Sequence, residues 1–204
     1  NGNYDFTLGF RNAFSYKNLS MSVLVDMKFG ADVYSMSKMQ SHVNGTSKET
    51  LEGREGWYAS EQARLSANVD AKDWTPTGGY VGKGVKAVTD ADGNVSYVPN
   101  DVYVDPAKYW QALQNSSPEP FICDNSFVKL REVSLSYSCP KKWFVHTPIE
   151  SVTLSAYGRN LLLIYSKVDN IDPESSYNNG NGQGFEYGSL PSRRTFGFGI
   201  NVKF

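Results

Sequence analysis

Apolar and polar residues alternate with period two in five separate stretches of this chain, and the last stretch is the most regular. From Arg194 to Phe204 the residues Phe196, Phe198, Ile200, Val202 and Phe204 fall on one parity, and Thr195, Gly197, Gly199, Asn201 and Lys203 on the other. Side chains of a strand point alternately to its two faces, so the pattern predicts a strand with one apolar and one polar side. Residues 4–16 repeat it with Tyr4, Phe6, Leu8, Phe10, Asn12, Phe14 and Tyr16 on the even positions, all but Asn12 apolar or aromatic, and residues 19–30 continue it with Leu19, Met21, Val23, Val25, Met27 and Phe29 on the odd ones. The change of parity predicts a two-residue turn at Lys17-Asn18, which sets Tyr16 opposite Leu19, Phe14 opposite Met21, Phe10 opposite Val25 and Phe6 opposite Phe29 and keeps one apolar side across the pair. Residues 126–138 and 151–161 give two more strands. In the first, Val128 and Leu130 fall off the parity of Val133, Leu135 and Tyr137, which predicts a bulge or a strand rising clear of its apolar surroundings.

Between these strands the alternation is lost over about 36–122 and about 162–193. The first of these long connections carries signals of its own. Trp57–Ser66 reads as a short helix, Asp105-Pro106 as a helix start with Asp at the cap and Pro at the first turn, and Val88–Tyr97 as a hairpin turning at Asp92-Gly93. Thr75–Gly79 is a turn cluster. The second holds Asp169, Asp172 and Glu174 and the low-complexity run 178–184. Connections thus run short, long, short, long, the order expected when long loops sit on the outer side of a barrel and tight turns on the inner side. The final strand, ending on Phe204, fits the strand that closes a barrel in lipid.

Composition agrees with an all-β chain of this kind. Of 204 residues, 14% are aromatic, 13 of them Tyr, and 18 residues are Gly. A mean hydropathy of −0.45 does not count against membrane strands, because only alternate residues face lipid. No apolar run reaches the roughly 20 residues of a membrane-crossing helix. The net charge of −1 removes the electrostatic case for nucleic acid. Cys123 and Cys139 flank a strand and would stand roughly 50 Å apart at about 3.3 Å per residue, too far for a disulfide.

Catalytic chemistry finds little support. His42 and His146 have no nearby Cys or second His and read as solvent-exposed loop histidines, and no zinc-ligand spacing exists. Asp90-Ala91-Asp92-Gly93-Asn94 lacks the Gly at the sixth position of a calcium loop and reads as a turn. Asp169, Asp172 and Glu174 read as a solvated acidic loop, with cation binding the alternative. The expectation is no enzyme, no cofactor and no metal. On the polar side of the strands Arg11, Asp26, Lys28 and Arg159 could line a lumen or meet a plug, as could Lys203; a plain solvated face would look the same. In the long loop Trp57, Trp74, Tyr109 and Trp110 could pack the loop on itself, touch a lid protein or stack on substrate.

Several stretches together resemble one family. Asp124–Pro140, with Ser126-Phe127 and Leu130-Arg131 leading to Leu135-Ser136-Tyr137, Gly158-Arg159-Asn160-Leu161 followed by Asp172-Pro173-Glu174, and Leu190-Pro191-Ser192-Arg193-Arg194 leading to Phe204 are similar to motifs near the C-terminus of SusC/RagA-type TonB-linked outer-membrane transporters of Bacteroidetes. Asp105-Pro106 with Tyr109-Trp110 resembles a recurrent loop motif of that family. The resemblance implies that residues 1–204 form the C-terminal part, about five up-and-down antiparallel strands, of a large outer-membrane β-barrel with long, partly helical extracellular loops and without its plug. It implies a fragment of a TonB-dependent importer of oligosaccharides or peptides in the bacterial outer membrane, with a SusD-like surface lipoprotein, TonB (through the absent N-terminal part), membrane lipid and a glycan or peptide substrate as partners. On this reading Phe196, Phe198, Ile200, Val202 and Phe204 face lipid and close the barrel. The rival reading is a secreted β-sandwich that binds glycans and transports nothing.

Overall fold

The computed structural model describes residues 1–169, 171–175 and 184–204. In chain order the elements are β1 (Phe6–Tyr16), β2 (Leu19–Phe29), β3 (Asp32–Ser35), α1 (Met36–Val43), α2 (Arg54–Ser66), β4 (Tyr80–Val81), β5 (Val85–Thr89), β6 (Val95–Pro99), β7 (Tyr103–Val104), α3 (Pro106–Ser116), β8 (Ile122–Asp124), β9 (Phe127–Ser138), β10 (Ser151–Ser166), β11 (Phe185–Glu186) and β12 (Thr195–Lys203), with short 3-10 turns between them. They fall into two units, one of Asn1–Ser35 with Ile122–Phe204 and one of Met36–Phe121.

The first unit is built on a five-stranded sheet in the order β1-β2-β9-β10-β12, with every neighbouring pair antiparallel. The β1–β2 register is the expected one, with Tyr16 opposite Leu19, Phe14 opposite Met21, Phe10 opposite Val25 and Phe6 opposite Phe29. Lys17 takes φ 51 in the turn, the left-handed conformation that a primed two-residue turn needs. Asn18 Nδ2 donates to the Ser138 carbonyl at 2.7 Å and ties this turn to the end of β9.

Register carries the apolar parity across the whole sheet. Phe14, Met21, Leu135, Ala156 and Phe198 form one cross-strand row, and Tyr16, Leu19, Tyr137, Leu154 and Ile200 the next. On the opposite face the equivalent rows are Ser15, Ser20, Ser136, Ser155, Gly199 and then Arg11, Leu24, Glu132, Arg159, Thr195. The apolar face is bare: Phe196, Phe198 and Ile200 are 67%, 87% and 72% exposed. No second sheet covers it among the described residues, so the sandwich reading loses the core it requires.

The bulge expected in β9 lies at Arg131. The pairing with β2 steps from Leu24↔Glu132 to Val25↔Leu130, leaving Arg131 unmatched. Strand β10 is irregular at the same level, where Arg159↔Glu132 is followed by Leu162↔Leu130. This second irregularity, with Asn160 at φ 51, explains why β10 continues to Ser166 rather than ending near 161: the break in parity hides the rest of the strand from an alternation pattern. A three-stranded sheet, β11-β3-β8, was not expected, because strands of two to four residues are too short to display a period. It lies near the unit's core residues Ala31, Val33, Phe127 and Val168.

The second unit coincides with the stretch where alternation fails. It contains α1, α2, α3 and the two small ladders β4–β7 and β5–β6. Helix α2 begins at Arg54, three residues before the expected Trp57, after Gly53 at φ 78; a Cβ there would collide with the Gly79–Tyr80 backbone. Asp105 caps α3 as expected, its carboxylate accepting the Ala107 N–H at 2.9 Å, with Pro106 in the first turn. Asp105→Ala is expected to cost the unit about 1 kcal/mol, read as a lower urea midpoint. In the β5–β6 turn the Asp90 carboxylate accepts the backbone N–H of Asp92 and Asn94, at 3.0 and 2.8 Å, and Gly93 takes φ 85. Met39, Tyr80, Trp110 and Phe121 make the core. His42 corrects the sequence reading: it is 2% exposed, on α1 rather than in a loop, against Trp110 and Phe121 at ring distances of 4.6 and 5.6 Å. A single His on a short amphipathic helix gives no sequence sign of which way it faces. His146 is exposed, and Cys123 and Cys139 are not joined in a disulfide.

Candidate functional site

The irregularity of β9 and β10 gathers the polar motifs of the sequence into one cluster on the polar face of the sheet. Lys129 pairs across from Asp26 and is only 4% exposed. Its ammonium donates to Asp172 at 2.9 Å, Glu174 at 2.7 Å and Ser192 at 2.8 Å, so all three of its protons are taken. The bulged Arg131 grips Glu174 with both Nη atoms, at 2.8 and 2.6 Å, and reaches Asp26 at 2.5 Å. The two-pronged contact is the geometry in which guanidinium and carboxylate pair best. Asn160 uses its left-handed backbone to turn its amide inward, accepting from Arg131 at 2.8 Å and donating to the Arg193 carbonyl at 3.1 Å. On the other face the same irregularity folds Leu161 over Gly158, where a Cβ would stand 2.7 Å from Leu161 and 3.2 Å from the Phe196 ring.

The loop side of the cluster adds further hydrogen bonds. Asp172 also accepts the backbone N–H of Glu174 at 3.0 Å and of Ser192 at 2.8 Å, together with the Ser192 hydroxyl. Asn125 donates to the Pro173 carbonyl at 2.9 Å and to the Tyr4 hydroxyl at 2.8 Å. Burial acts against the charged form of Asp172, but the bonds from Ser192, the Glu174 backbone and Lys129 outweigh it and hold the carboxyl down at about 2. Glu174 is likewise lowered, burial being overcome by Arg131 and Lys129. Asp172 and Glu174 therefore do not form the solvated acidic loop that the sequence suggested. Their cationic partners lie more than 40 residues away in sequence, beyond any local reading. Every charged group of this cluster is paired, so it has no free acid, base or nucleophile; it is a clamp that holds the segments around Asp172 and Ser192 against the sheet.

The other residues singled out from sequence divide cleanly. Asp26 and Arg159 lie on the clamp side, Arg159 donating to Glu132 at 2.8 Å with Arg11 4.0 Å from the same carboxylate. The Lys28 ammonium stands 5.3 Å from the centre of the Tyr4 ring and 5.9 Å from that of Phe127. Phe196, Phe198, Ile200 and Val202 share the bare apolar face, and Phe204 follows β12. Lys129, Asn160 and Ser192 were not singled out, because each reads as an ordinary polar residue until the partners are seen. Trp143, 59% exposed in the short turn between β9 and β10, was also passed over. In the second unit Trp57 and Trp110 line one cleft, whereas Tyr109 packs on Tyr80 at 4.5 Å and the Trp74 indole donates to Ser60 at 3.1 Å. No group of ligands suited to a metal ion occurs among the described residues. The run 178–183 lies outside the described residues.

Comparison with known proteins gives a consistent picture. No protein-family model matches the chain. The chain is 27% identical over 206 aligned residues to TonB-dependent receptor P3 of Formosa agariphila and 28% identical over 205 to TonB-dependent receptor P26 of the same organism, in each case across 98% of this chain. It spans about a sixth of the length of these relatives, 16% and 17%. Among solved structures, the RagAB peptide transporter superposes on the whole chain with a TM-score of 0.56 at 18% identity, using 17% of that chain. The RagAB peptide importer in its closed-closed state gives 0.59 at 16% identity, using 18%. These similarities bear out the SusC/RagA-type resemblance and, with it, the bacterial outer membrane as the location.

Proposed function

We propose that the chain is a length of wall from a TonB-dependent outer-membrane importer of oligosaccharides or peptides, acting without enzymatic chemistry and beneath a SusD-like surface lipoprotein. The observation that carries this reading is the five-stranded sheet with one exposed face that is apolar apart from Asn12. Strands of 9–16 residues meet the roughly 9–11 that a tilted strand needs to cross a bilayer. Tyr16, Tyr137, Trp143 and Phe204 gather toward the end with the short turns, where an aromatic girdle would meet the lipid headgroups. On this reading Phe196, Phe198, Ile200, Val202 and Phe204 touch lipid. Arg11, Asp26, Lys28 and Arg159 face the lumen or a plug, the Met36–Phe121 unit and the clamped loop lie outside the cell, and Trp57, Trp74, Tyr109 and Trp110 serve a lid or substrate. TonB would act through parts of the protein other than this segment.

The reading makes the two faces of β12 unequal. In the complete reading frame that carries this segment, Phe198→Lys is expected to lower the stability of the membrane-inserted form by about 2–4 kcal/mol, and Asn201→Lys, on the opposite face, to leave it nearly unchanged. Folding into lipid vesicles across a urea series measures both. Equal effects of the two variants, together with a chain that runs as a single monodisperse monomer without detergent, would overturn the proposal.

A further inference from the structure

The apolar face of the main sheet is not level. On β10 the positions Ala156 and Gly158 are small, and each stands in register between larger neighbours: Ala156 between Leu135 and Phe198, Gly158 between Val133 and Phe196. The result is a trough of about 340 Å³ along β10, walled by β9 and β12. Leu161, folded over Gly158, stands at its upper end, toward the long connections. Below Ala156 the next side chain of β10 on that face is Leu154, which bounds the trough from the other end. Neighbouring strands lie about 4.8 Å apart, so the backbones of the two walls are roughly 10 Å apart. The wall side chains narrow that gap, and a helix about 10–12 Å across cannot enter it. A single extended hydrocarbon chain can.

Fixed cations stand at the head of this trough. Arg193 and Arg194 lead directly into β12; both are exposed, and neither enters an ion pair among the described residues. Continuing the parity of β12 puts Arg194 on the side of Phe196 and Phe198. The backbone that carries the two guanidiniums is held by the clamp: the Ser192 N–H donates to Asp172 at 2.8 Å, and the Arg193 carbonyl accepts from Asn160 at 3.1 Å. Asp172 is itself spent on Lys129 and Ser192, which leaves the arginines without an anion. From Phe204 to Arg194 the strand runs roughly 33 Å at about 3.3 Å per residue. Tilted by about 35–45°, it climbs roughly 25 Å, the height of the apolar band of a membrane barrel. With Phe204 at one boundary of the hydrocarbon, Arg194 therefore stands at the other, at headgroup level.

We infer that the trough and these guanidiniums together hold one lipid with a phosphate headgroup, its tail along β10 and its phosphate on Arg194 and Arg193. A guanidinium matches two phosphate oxygens at once, which an ammonium does not. A zwitterionic lipid would fill the trough equally well but brings its own cation to the arginines. Free phosphate has no use for the trough. The inference rests on the transport reading and deepens it: one stretch of the wall selects its lipid, and the rest of the apolar face takes whatever lipid is present.

The test places the complete protein that carries this segment in phosphatidylcholine bilayers doped with phosphatidic acid bearing a photoactivatable diazirine in one tail, and maps the labelled residues by mass spectrometry after illumination. Phosphatidylcholine with the same diazirine tail is the comparison, and the apolar side of β1 and β2 is the internal reference. The expected result is labelling around Gly158 and Phe198 that exceeds the reference about fivefold or more with the phosphatidate, and equals it with the phosphatidylcholine. The excess should disappear when Arg193→Gln and Arg194→Gln are combined, exposed changes that leave the sheet intact. It should fall about threefold to tenfold in Ala156→Leu, which fills the trough from an open face. Inorganic phosphate in excess over the lipid should leave it nearly unchanged. No excess at the trough, an excess that survives the paired arginine changes or Ala156→Leu, or its removal by inorganic phosphate would overturn the site. Such a failure, with both regions still labelled and the β12 variants behaving as above, leaves the transport reading standing; labelling of neither region by either lipid overturns both.

Discussion

Lys129→Met is expected to release the loop segments around Asp172 and Ser192 from the sheet while the sheet itself persists. Methionine keeps the length and apolar stem of the side chain but removes the charge that satisfies Asp172, Glu174 and Ser192 at once. Removing Lys129 leaves the part-buried Asp172 charged without its cation, while Glu174 keeps Arg131; breaking a buried ion pair in this way costs about 3–5 kcal/mol. The readout is local. The backbone N–H groups of Glu174 and Ser192 both donate to Asp172, and their hydrogen exchange should quicken on the order of a hundredfold or more, while amides paired between β1 and β2 change little. Lys129→Met combined with Asp172→Asn should recover part of the protection, since it also removes an orphaned charge. Acid gives an independent check with a defined sign. The Asp172 carboxyl titrates near 2 in the folded chain and near its ordinary 3.8 when unfolded, so its contribution is complete above about 4 and fades as the pH falls toward 2. In Lys129→Met the carboxyl loses one of the bonds that lower it, so the contribution should be smaller and its fading should be complete at a higher pH. Exchange rates at these two amides that match those of the native protein would show that the clamp carries none of the loop's stability.

Trp110→Ala is the second large effect. This residue is at the centre of the Met36–Phe121 unit, 7% exposed, with ring contacts to His42 at 4.6 Å, Tyr109 at 5.3 Å and Tyr80 at 5.7 Å. Truncating a buried indole in such a setting costs about 3–5 kcal/mol through lost contacts and the cavity left behind. For a unit with so few core residues that is a large part of its stability. Trp110→Phe should cost far less, because the indole N–H has no partner to lose. Urea unfolding followed by near-UV circular dichroism separates the two: a small loss in the alanine variant would mean that the unit does not depend on this cluster.

What the sequence disclosed follows from the range of each signal. Strand period, turn parity and helix caps are local, and the β1–β2 register, the Asp105 cap, the Asp90 turn and the limits of the non-alternating stretch were all legible. The β9 bulge was legible too, because Val128 and Leu130 visibly leave the parity of Val133. The end of β10 was not, since Asn160 and Leu161 break the alternation in mid-strand and the residues beyond read as loop. The clamp was hidden for a different reason. Lys129, Arg131, Asn160, Asp172, Glu174 and Ser192 belong to four segments, and only the register of β9 on its neighbours brings them within 3 Å of one another. His42 was misjudged because burial of a single side chain depends on what packs over it, here Trp110 and Phe121, and not on its neighbours in sequence.

The two outermost strands of the main sheet, β1 and β12, each have a sheet partner on one side only among the described residues. Every second amide and carbonyl along their other sides is aimed outward, with apolar rings beside it. Such a border accepts any strand of matching pitch, including one from an identical molecule. Cut free and placed in water, copies of this segment should therefore zip together into growing ribbons, and keeping them single would require a neighbour, or a detergent, to occupy the border first.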